Sequence, residues 1–501
     1  MSDIRRQSII SSFVVYFGFA LGFFNTFLYT KEGNFTAAEY GLVNLFIAIA
    51  NIMFSVANLG MPAVIYKFFP YYKDNLKTRN NDLLTWTLFT TIAGFVLVSI
   101  AGYFLKDFVA RKYITNSPEL ISYYYWLFPF GFGLTLYSVL EAYAWQERKS
   151  VLTNLLREVV FRLLTTILIV LFFAGIISEF RGFIKLYSLT YLALTMILLF
   201  YLLLSRKISF TFSVSQVTRK FRKKMIALAA FMWSGGSVVN ISRVFDSLVI
   251  AAVLPNGQIY VGVNALAENI ASLIQAPQRG IIAASIAPLS RAWKDKDYEK
   301  IRNIYKRSSI NQLIFSVAMF SLIYLNFIDG IETVPLKDTY LQALPIFLVV
   351  GSLRILDMGT GLNAQIIATS TFWRFEFFTG VFLLVLSLPL TYVLTKTLGV
   401  IGPALSNFIA FFIYNSIRGI FLWRKMKMQP FSVKSVYTIL LGVACYLLSY
   451  YLFREQRGWT WIFIRSFVFT VPFVAGVVLL RLTPDFFHVV DSMRKRFQRA
   501  T

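Results

Sequence analysis

Apolar runs of about 20 residues recur along the chain, and short segments rich in Lys, Arg, Pro or Gly separate them. A run of this length lets an α-helix cross a hydrocarbon core of about 30 Å. The pattern predicts fourteen transmembrane helices, at 8–30, 40–66, 83–105, 119–145, 151–177, 182–205, 225–253, 258–287, 308–328, 339–369, 373–395, 398–422, 433–452 and 459–480. An even number of crossings places both termini on the same side of the membrane.

The distribution of basic residues tests this count. Of the 49 Lys and Arg residues, 33 fall in segments on the N-terminal side of the membrane, 10 on the other side and six inside helices. Cytoplasmic loops are enriched in Lys and Arg, so the asymmetry places both termini in the cytoplasm. We therefore predict a multi-pass protein of the cell inner (cytoplasmic) membrane.

The chain also carries an internal repeat. Shifts of 220 and 216 residues superpose similar positions: Tyr40 with Tyr260, Asn44 with Asn264, Pro129 with Pro345 and Glu141 with Asp357. Both shifts move the pattern by six helices, and an even offset preserves orientation, as in transporters built from parallel repeats. The predicted fold is all-α, with two pseudo-symmetric six-helix lobes plus two C-terminal helices. Its parts are a lobe at 1–207, a basic cytoplasmic linker at 208–224, a lobe at 225–424, helices 13 and 14 at 425–484, and a basic cytoplasmic tail at 485–501.

Composition excludes several classes of function. The net charge of +25 would suit a nucleic-acid partner, but only 15% of residues are charged and no loop exceeds about 25 residues, so a folded basic surface is not expected. With one Cys and one His, we predict no metal site and no catalytic triad. A phosphate-binding GxxxxGK[ST] loop is missing too. The protein is expected to be neither an enzyme nor dependent on a cofactor.

Polar residues inside the predicted helices identify candidate functional positions, because an ionisable residue at a helix centre costs about 3 kcal/mol on insertion scales. On an uninterrupted helix, two sets would each form one stripe, within arcs of about 80° and about 60°. The stripes are Asn264, Glu268, Ser272, Gln275 and Arg279 in helix 258–287, and Asn44, Asn51, Ser55 and Asn58 in helix 40–66. They suit the walls of a solvated path, whereas the simpler alternative is hydrogen bonding that holds the bundle together.

Charged residues of opposite sign also share helix faces. These sets are Arg243 with Asp246, Arg354 with Asp357, and Glu158 with Arg162. They are either structural ion pairs or part of the transport mechanism. In the second case the arginine holds an anionic group of the substrate, and the acid accepts a proton or sodium ion or releases the arginine. Arginine suits pyrophosphate because its planar fork donates two hydrogen bonds at once. Arg418 and Arg465 lie near helix ends, where we expect them to extend toward water.

Three segments resemble a known family. The stretch AAEYGLVNLFIAIANIMFSVANLGMPAVIYKFFPYY (37–72) resembles its helix 2, SRVFDSLVIAAVL (242–254) its helix 7 to 8 region, and GVIGPALSNFIAFFIYNSIR (399–418) its helix 12. The family is the polysaccharide (O-antigen, Wzx-type) flippases of the multidrug/oligosaccharidyl-lipid/polysaccharide (MOP) exporter superfamily. The order of the segments and the fourteen-helix count extend the resemblance over the whole chain.

The resemblance implies alternating access and movement of an undecaprenyl-pyrophosphate-linked oligosaccharide from the inner to the outer leaflet, for O-antigen, capsule or exopolysaccharide synthesis. Membrane lipids, H⁺ or Na⁺, a polysaccharide polymerase and glycosyltransferases are the further partners considered. The candidate substrate ligands are Arg243, Arg279, Arg354, Arg162, Asn44, Asn51, Asn58, Asn264 and Gln275. The candidate ion carriers are Asp246, Asp357, Glu141, Glu268 and Glu158.

Three alternatives stay open. A cation-coupled multidrug exporter of the same superfamily would favour acidic cavity groups, often in helix 1, but the segment 8–30 has no charged residue. A lipid II flippase would share the anion and the carrier, yet it would be expected to place arginines in helices 1 and 2, and neither span contains one. A non-transporting scaffold for glycan synthesis would not need the polar stripes.

Overall fold

The computed structural model describes residues 3–483, except for the side chains of residues 3–13, 15, 238, 239, 279, 283, 284, 286, 287 and 373. The protein is an all-α membrane protein, as predicted. Within the described residues, nine helical segments are long and apolar enough to cross a membrane. The count of fourteen crossings stays a prediction, and the tail at 485–501 lies outside the described range.

The chain divides into two compact units, Met1–Gly262 and Val263–Thr501. The α-helices that begin in the first unit are α1 (Asp3–Thr30), α2 (Ala37–Ala57), α3 (Met61–Asn75), α4 (Leu83–Tyr113), α5 (Pro118–Ser122), α6 (Leu127–Gln146), α7 (Ser150–Asn154), α8 (Phe161–Phe173), α9 (Phe180–Ser188), α10 (Thr190–Leu204), α11 (Gln216–Val253) and α12 (Gly257–Ser272). Those that begin in the second are α13 (Ala276–Lys294), α14 (Tyr298–Thr333), α15 (Ala343–Gly359), α16 (Asn363–Ala368), α17 (Trp373–Leu398), α18 (Gly402–Met426), α19 (Val433–Leu452) and α20 (Trp459–Leu479).

Several helices that the sequence predicts as continuous are interrupted, among them 119–145, 182–205 and 339–369, and two of the breaks stand at a proline. The span 40–66 consists of α2 and α3, and the span 258–287 consists of α12 and α13. In each case a proline, Pro62 or Pro277, is the second residue of the later helix. Proline lacks an N–H and tolerates the first turn of a helix but not its interior, so the chain restarts there.

A similar order of long helices follows each break. In the first unit α2 and α3 lead through a 3₁₀ turn to α4, and then through the short α5 and a 3₁₀ turn at Tyr124–Trp126 to α6. In the later part of the chain α12 and α13 lead to α14, to a 3₁₀ turn at Asp338–Gln342 and to α15. This order is what an internal duplication would produce. The boundaries of the two predicted lobes remain a prediction.

Two helices start earlier than the apolar pattern predicts. Helix α11 begins at Gln216, inside the predicted linker 208–224, and the Ser215 side chain accepts a hydrogen bond from the Thr218 N–H at its start. Helix α14 begins at Tyr298, with the Asp297 carboxylate as its N-cap. An apolar window detects only the part of a helix that lies in the membrane. Lys, Arg and Glu are good helix formers and extend the helix beyond that part.

Loops that the sequence assigns to one side of the membrane contact one another in the first unit. Glu147 pairs with Lys73 at 3.0 Å and with Lys207 at 3.4 Å, which joins three of the predicted cytoplasmic loops. At the predicted outer side, Asn116 Nδ2 donates to the Ala252 carbonyl at 2.9 Å. The grouping of these loops is what the predicted alternation requires.

Helix α11 packs closely on the break between α2 and α3. Gly60 has φ of +74°, and a Cβ there would overlap the carbonyl group of Ala229. Glycine meets both demands, because a left-handed backbone disfavours a side chain and the close approach of Ala229 leaves no room for a Cβ. On the same face, Trp233 Nε1 donates to the Val56 carbonyl at 3.0 Å.

Replacing Gly60 with alanine should therefore destabilise the protein. The left-handed backbone alone costs a residue with a side chain about 1–2 kcal/mol, and separating α11 from the break adds to that cost. A thermal melt of the purified protein in detergent should show a lower midpoint than the wild type. The matched control is Gly235→Ala on α11, where a Cβ meets open space. Equal midpoints for the two variants would contradict the argument.

Candidate functional site

The first embedded ion pair lies on a widened turn. Arg162 Nη1 is 2.8 Å from Glu158 Oε2, so the pair predicted from the i,i+4 spacing is confirmed. Glu158 belongs to a π-helical segment, Leu155–Val160, which leads directly into α8. Such segments are rare and are often found at functional sites. The two side chains are 25% and 24% exposed, so solvent or a ligand can reach them.

Helix α1 forms a matching surface for this pair. A Cβ on Gly18 or Gly22 would overlap or press on the Arg162 side chain, so the two glycines make room for it. Asn25 Nδ2 donates to the Arg162 carbonyl at 2.9 Å, and its Oδ1 accepts from the Thr166 hydroxyl at 2.6 Å. The segment 8–30 of α1, which has no charged residue of its own, therefore packs against an arginine of a neighbouring helix. We call Glu158, Arg162, Asn25 and Thr166 the N-terminal cluster.

A second pair in this unit was missed by the sequence analysis. Arg157 Nη1 is 3.1 Å from Oε2 of the buried Glu141. Arg157 lies near the start of the predicted helix 151–177. In the count of basic residues it belongs with the cytoplasmic segment that contains Arg148 and Lys149, so no partner within the membrane was predicted for it. The buried acid on α6 was the available signal, since a buried carboxylate usually has a cationic partner. Glu141 keeps one oxygen, Oε1, without a hydrogen-bond partner among the described residues.

In the second unit the embedded charges pair differently from the sequence prediction. Arg354 and Asp357 were expected to form an i,i+3 pair. Instead, Arg354 Nη2 donates to Glu268 Oε2 at 2.8 Å. Asp357 Oδ2 accepts hydrogen bonds from the amides of Gln278, at 3.0 Å, and Gln275, at 3.4 Å. We call these five residues the C-terminal cluster.

The break between α12 and α13 explains this arrangement. The predicted stripe assumed one continuous helix from Asn264 to Arg279, but residues 273–275 form a turn. Gln275 therefore leaves the angular register of Glu268, and the single-stripe prediction is wrong beyond Ser272. The break instead directs Gln275 and the first turn of α13 toward the acid on α15.

Two arginines that were expected to extend toward water are buried in ion pairs. Arg465 Nη2 is 2.6 Å from Asp329 Oδ2, and the two side chains are 6% and 0% exposed. Arg418, whose side chain is 4% exposed, forms an ion pair with Glu376. In both cases the acidic partner lies on another helix. The spacing of charges along one helix could not show such a pair.

The remaining candidates are more dispersed. Arg243 is exposed on α11, and Asn264 is buried. The amides of Asn44 and Asn51 each donate to a carbonyl one turn earlier on α2. Asn58 Oδ1 accepts from the Gly60 N–H at 2.8 Å, so it shapes the helix break. The side chain of Arg279 lies outside the described residues, and Asp246 is half-buried on α11.

The described residues thus form a multi-pass, all-α membrane protein with broken helices and with charges paired between helices. The lipid II flippase MurJ, in an inward closed conformation, is similar with a TM-score of 0.73 and 14% identity, over 94% of this chain and 99% of that chain.

Two further structures are similar. A multidrug resistance MATE family transporter of the MOP superfamily, in an inward-facing conformation, has a TM-score of 0.64 and 16% identity, over 82% of this chain and 94% of that one. MATE in complex with MaL6 has a TM-score of 0.54 and 15% identity, over 84% and 95%. Identities this low establish a shared fold. Neither a family model nor a curated protein matches the chain.

Exposure separates the embedded pairs into two kinds, which can be tested. Asp329→Asn should lower the free energy of unfolding by about 3 kcal/mol or more, because it leaves Arg465 buried without a counter-charge. Arg354→Gln should change it much less, since the side chains of Arg354 and Glu268 are 21% and 35% exposed. Denaturation of both variants in the same detergent provides the comparison. Similar losses for the two would show that both pairs are structural.

Proposed function

We propose that the protein is a flippase that moves an undecaprenyl-pyrophosphate-linked oligosaccharide from the inner to the outer leaflet of the cytoplasmic membrane, for surface polysaccharide synthesis. The observation that carries the proposal is a pair of partly exposed arginines, Arg162 and Arg354, each held by an acid within a membrane-embedded helix bundle. In hydrocarbon, ionisable residues are costly and usually serve a transport path. In this proposal both termini lie in the cytoplasm, as the basic loops predict, and the two predicted lobes alternate access.

The C-terminal cluster suits an anion that arrives and leaves. Arg354 Nη2 donates a hydrogen bond to Glu268. The oxygens of a diphosphate could accept hydrogen bonds from the same guanidinium group. A phosphate group that binds Arg354 would compete with Glu268, so the ion pair would open as the substrate binds. The N-terminal cluster offers a second arginine of the same kind. Arg243, Arg279 and the amides of Asn44, Asn51, Asn264 and Gln275 are proposed as further ligands.

Coupling to an ion gradient is proposed for the acids. Asp357 is the strongest candidate, because within the described residues its hydrogen-bond donors are two neutral amides. It can bind a proton or Na⁺ without leaving an arginine unpaired. Glu268, Glu158 and Glu141 each hold an arginine, so their protonation would release a cation. Asp246 stays a candidate on position alone.

The alternatives differ in how they account for the arginines. A multidrug exporter for cationic compounds has no evident use for them. A lipid II flippase would use them in the same way, and the similarity to the lipid II flippase MurJ keeps that cargo as the second candidate. A scaffold would need neither the exposure of the pairs nor the transporter fold.

Replacing Arg354 with Gln should reduce flipping about tenfold or more, because a hydrogen bond between charged groups contributes about 1.5–3 kcal/mol. The assay is reconstituted vesicles loaded with undecaprenyl-pyrophosphate-linked glycan, with a lectin detecting glycan that crosses the bilayer. Arg162→Gln, Arg243→Gln and Arg279→Gln are tested beside it. Lys396→Gln, an exposed change at the end of α17, is the control and should keep full activity.

Glu268→Gln gives a sharper test of competition at Arg354. Without its carboxylate partner, Arg354 should bind the substrate more tightly and release it more slowly, so affinity rises while turnover falls. Unchanged flipping in all the arginine variants would overturn the assignment of an anionic cargo. Flipping of lipid II but not of the oligosaccharide-linked carrier would favour the second candidate.

Flipping should also depend on an ion gradient, with Asp357 as the carrier. Collapsing the proton and sodium gradients separately in the same vesicles should identify the ion, because only one collapse should abolish transport. Asp357→Asn should behave like the wild type without a gradient, since its side chain keeps its shape but cannot carry a charge. Undiminished flipping after both gradients are removed would exclude coupling.

A further inference from the structure

We infer that the first unit holds a binding site for an anionic phospholipid of the cytoplasmic leaflet, between α3, α4 and α11. The site is a cavity of about 440 Å³, within the range of about 300–1,000 Å³ typical of small-molecule pockets. None of its lining residues belongs to either charge cluster, and the inference does not depend on the proposed cargo.

The walls of the cavity suit a hydrocarbon chain. They consist mainly of apolar side chains, with threonine hydroxyl groups and one guanidinium group among them. Met61 and Val64 come from α3, Trp86 from α4, and Ile226 and Ala230 from α11. Both Ile226 and Ala230 are exposed, so the cavity opens on the outside of the unit, where lipid is the expected neighbour.

A hydrogen-bonded cluster of Asp82, Thr218, Ser215 and Tyr72 closes one end of the cavity. Asp82 Oδ2 accepts from the Thr218 hydroxyl at 2.7 Å and from the Ser215 N–H at 2.9 Å. The Tyr72 hydroxyl lies 2.7 Å from Thr218 Oγ1. Burial raises the pKa of Tyr72 to about 12, so the phenol stays protonated at neutral pH. This cluster holds the start of α11 against α3 and the start of α4, and it forms the end wall of the cavity.

The charge at the rim indicates the head group. Arg222 lines the cavity from the first turns of α11. Around it, α11 exposes four further basic residues, Arg219, Lys220, Lys223 and Lys224. A basic pocket between membrane helices on the cytoplasmic side attracts anionic lipid head groups. Charge complementarity therefore favours a phospholipid with a net negative charge over a zwitterionic one.

The indole of Trp86 offers an independent observation. Its Nε1 is buried and has no acceptor in the part of the chain that the structure describes. Buried donors ordinarily have a partner, and Trp86 lines this cavity. An ester or phosphate oxygen of a bound lipid would supply the acceptor.

Native mass spectrometry of the full chain in detergent tests the site. The probes are phosphatidylglycerol and phosphatidylcholine with identical acyl chains, and inorganic phosphate as a free anion. The wild type should retain phosphatidylglycerol in preference to phosphatidylcholine, and inorganic phosphate should not displace it, because binding needs the chain as well as the charge. Equal retention of the two lipids would overturn the inference.

Three variants locate the bound lipid. Arg222→Gln should reduce phosphatidylglycerol retention about fivefold, whereas Lys112→Gln, an exposed change at the far end of α4 from the cavity, should leave it unchanged. Ala230→Phe fills the cavity without changing charge and should abolish retention. Thr90→Phe, from α4, is a second filling variant should the first fail to fold, which a thermal melt will show.

Two results would assign the cavity differently. Retention of phosphatidylglycerol by both filling variants would place the lipid elsewhere on the protein. Displacement of phosphatidylglycerol by an equal concentration of undecaprenyl phosphate, lost in Ala230→Phe, would give the cavity to the carrier lipid. Either result overturns the phospholipid assignment, while leaving the test of Arg354 in vesicles unaffected.

Discussion

The cost of an unpaired charge in hydrocarbon governs how this structure is arranged. A charged side chain at the centre of a membrane helix must find a counter-charge or water. Arg418 and Arg465 find acids on neighbouring helices and are almost fully buried. Arg162 and Arg354 are also paired, but their surroundings leave them partly exposed. The same constraint thus produces structural pairs in one place and accessible pairs in another.

This difference in exposure is an energetic one. Around Arg465, Asp329 also accepts from the Gly458 N–H, and the two terminal nitrogens of the guanidinium donate to the Leu325 and Gln456 carbonyls, so several hydrogen bonds within the protein hold the pair. Removing either partner would leave the other uncompensated. Arg354 has a carboxylate and a solvated side. In the proposed function Arg354 would exchange that carboxylate for a phosphate group of the substrate, which a buried structural pair could not do without a large cost.

Much of this architecture is visible in the sequence because membrane helices are specified by simple lengths and periods. The all-α class, the position of most helices and the Glu158–Arg162 pair follow from apolar runs and from i,i+4 spacing. Pairs between helices do not follow, since periodicity along one helix says nothing about its neighbour. This is why Arg354 was expected to pair with Asp357, and why the partner of Arg418 was missed. The breaks before Pro62 and Pro277 could have been predicted from the sequence, because proline is common in the first turn of a helix and rare in its interior.

The break before Pro277 separates two tasks that the sequence seemed to assign to one pair. It brings Gln275 and Gln278 to Asp357, while Glu268, on the preceding helix, takes Arg354. Arg354 and Asp357 lie one turn apart on α15, so each lies within the range of the other's charge. In the proposed mechanism, neutralising Asp357 would remove a negative charge beside Arg354 without breaking its ion pair with Glu268. Arg354 would then attract an incoming anion more strongly, and ion binding would be linked to substrate binding through electrostatics alone.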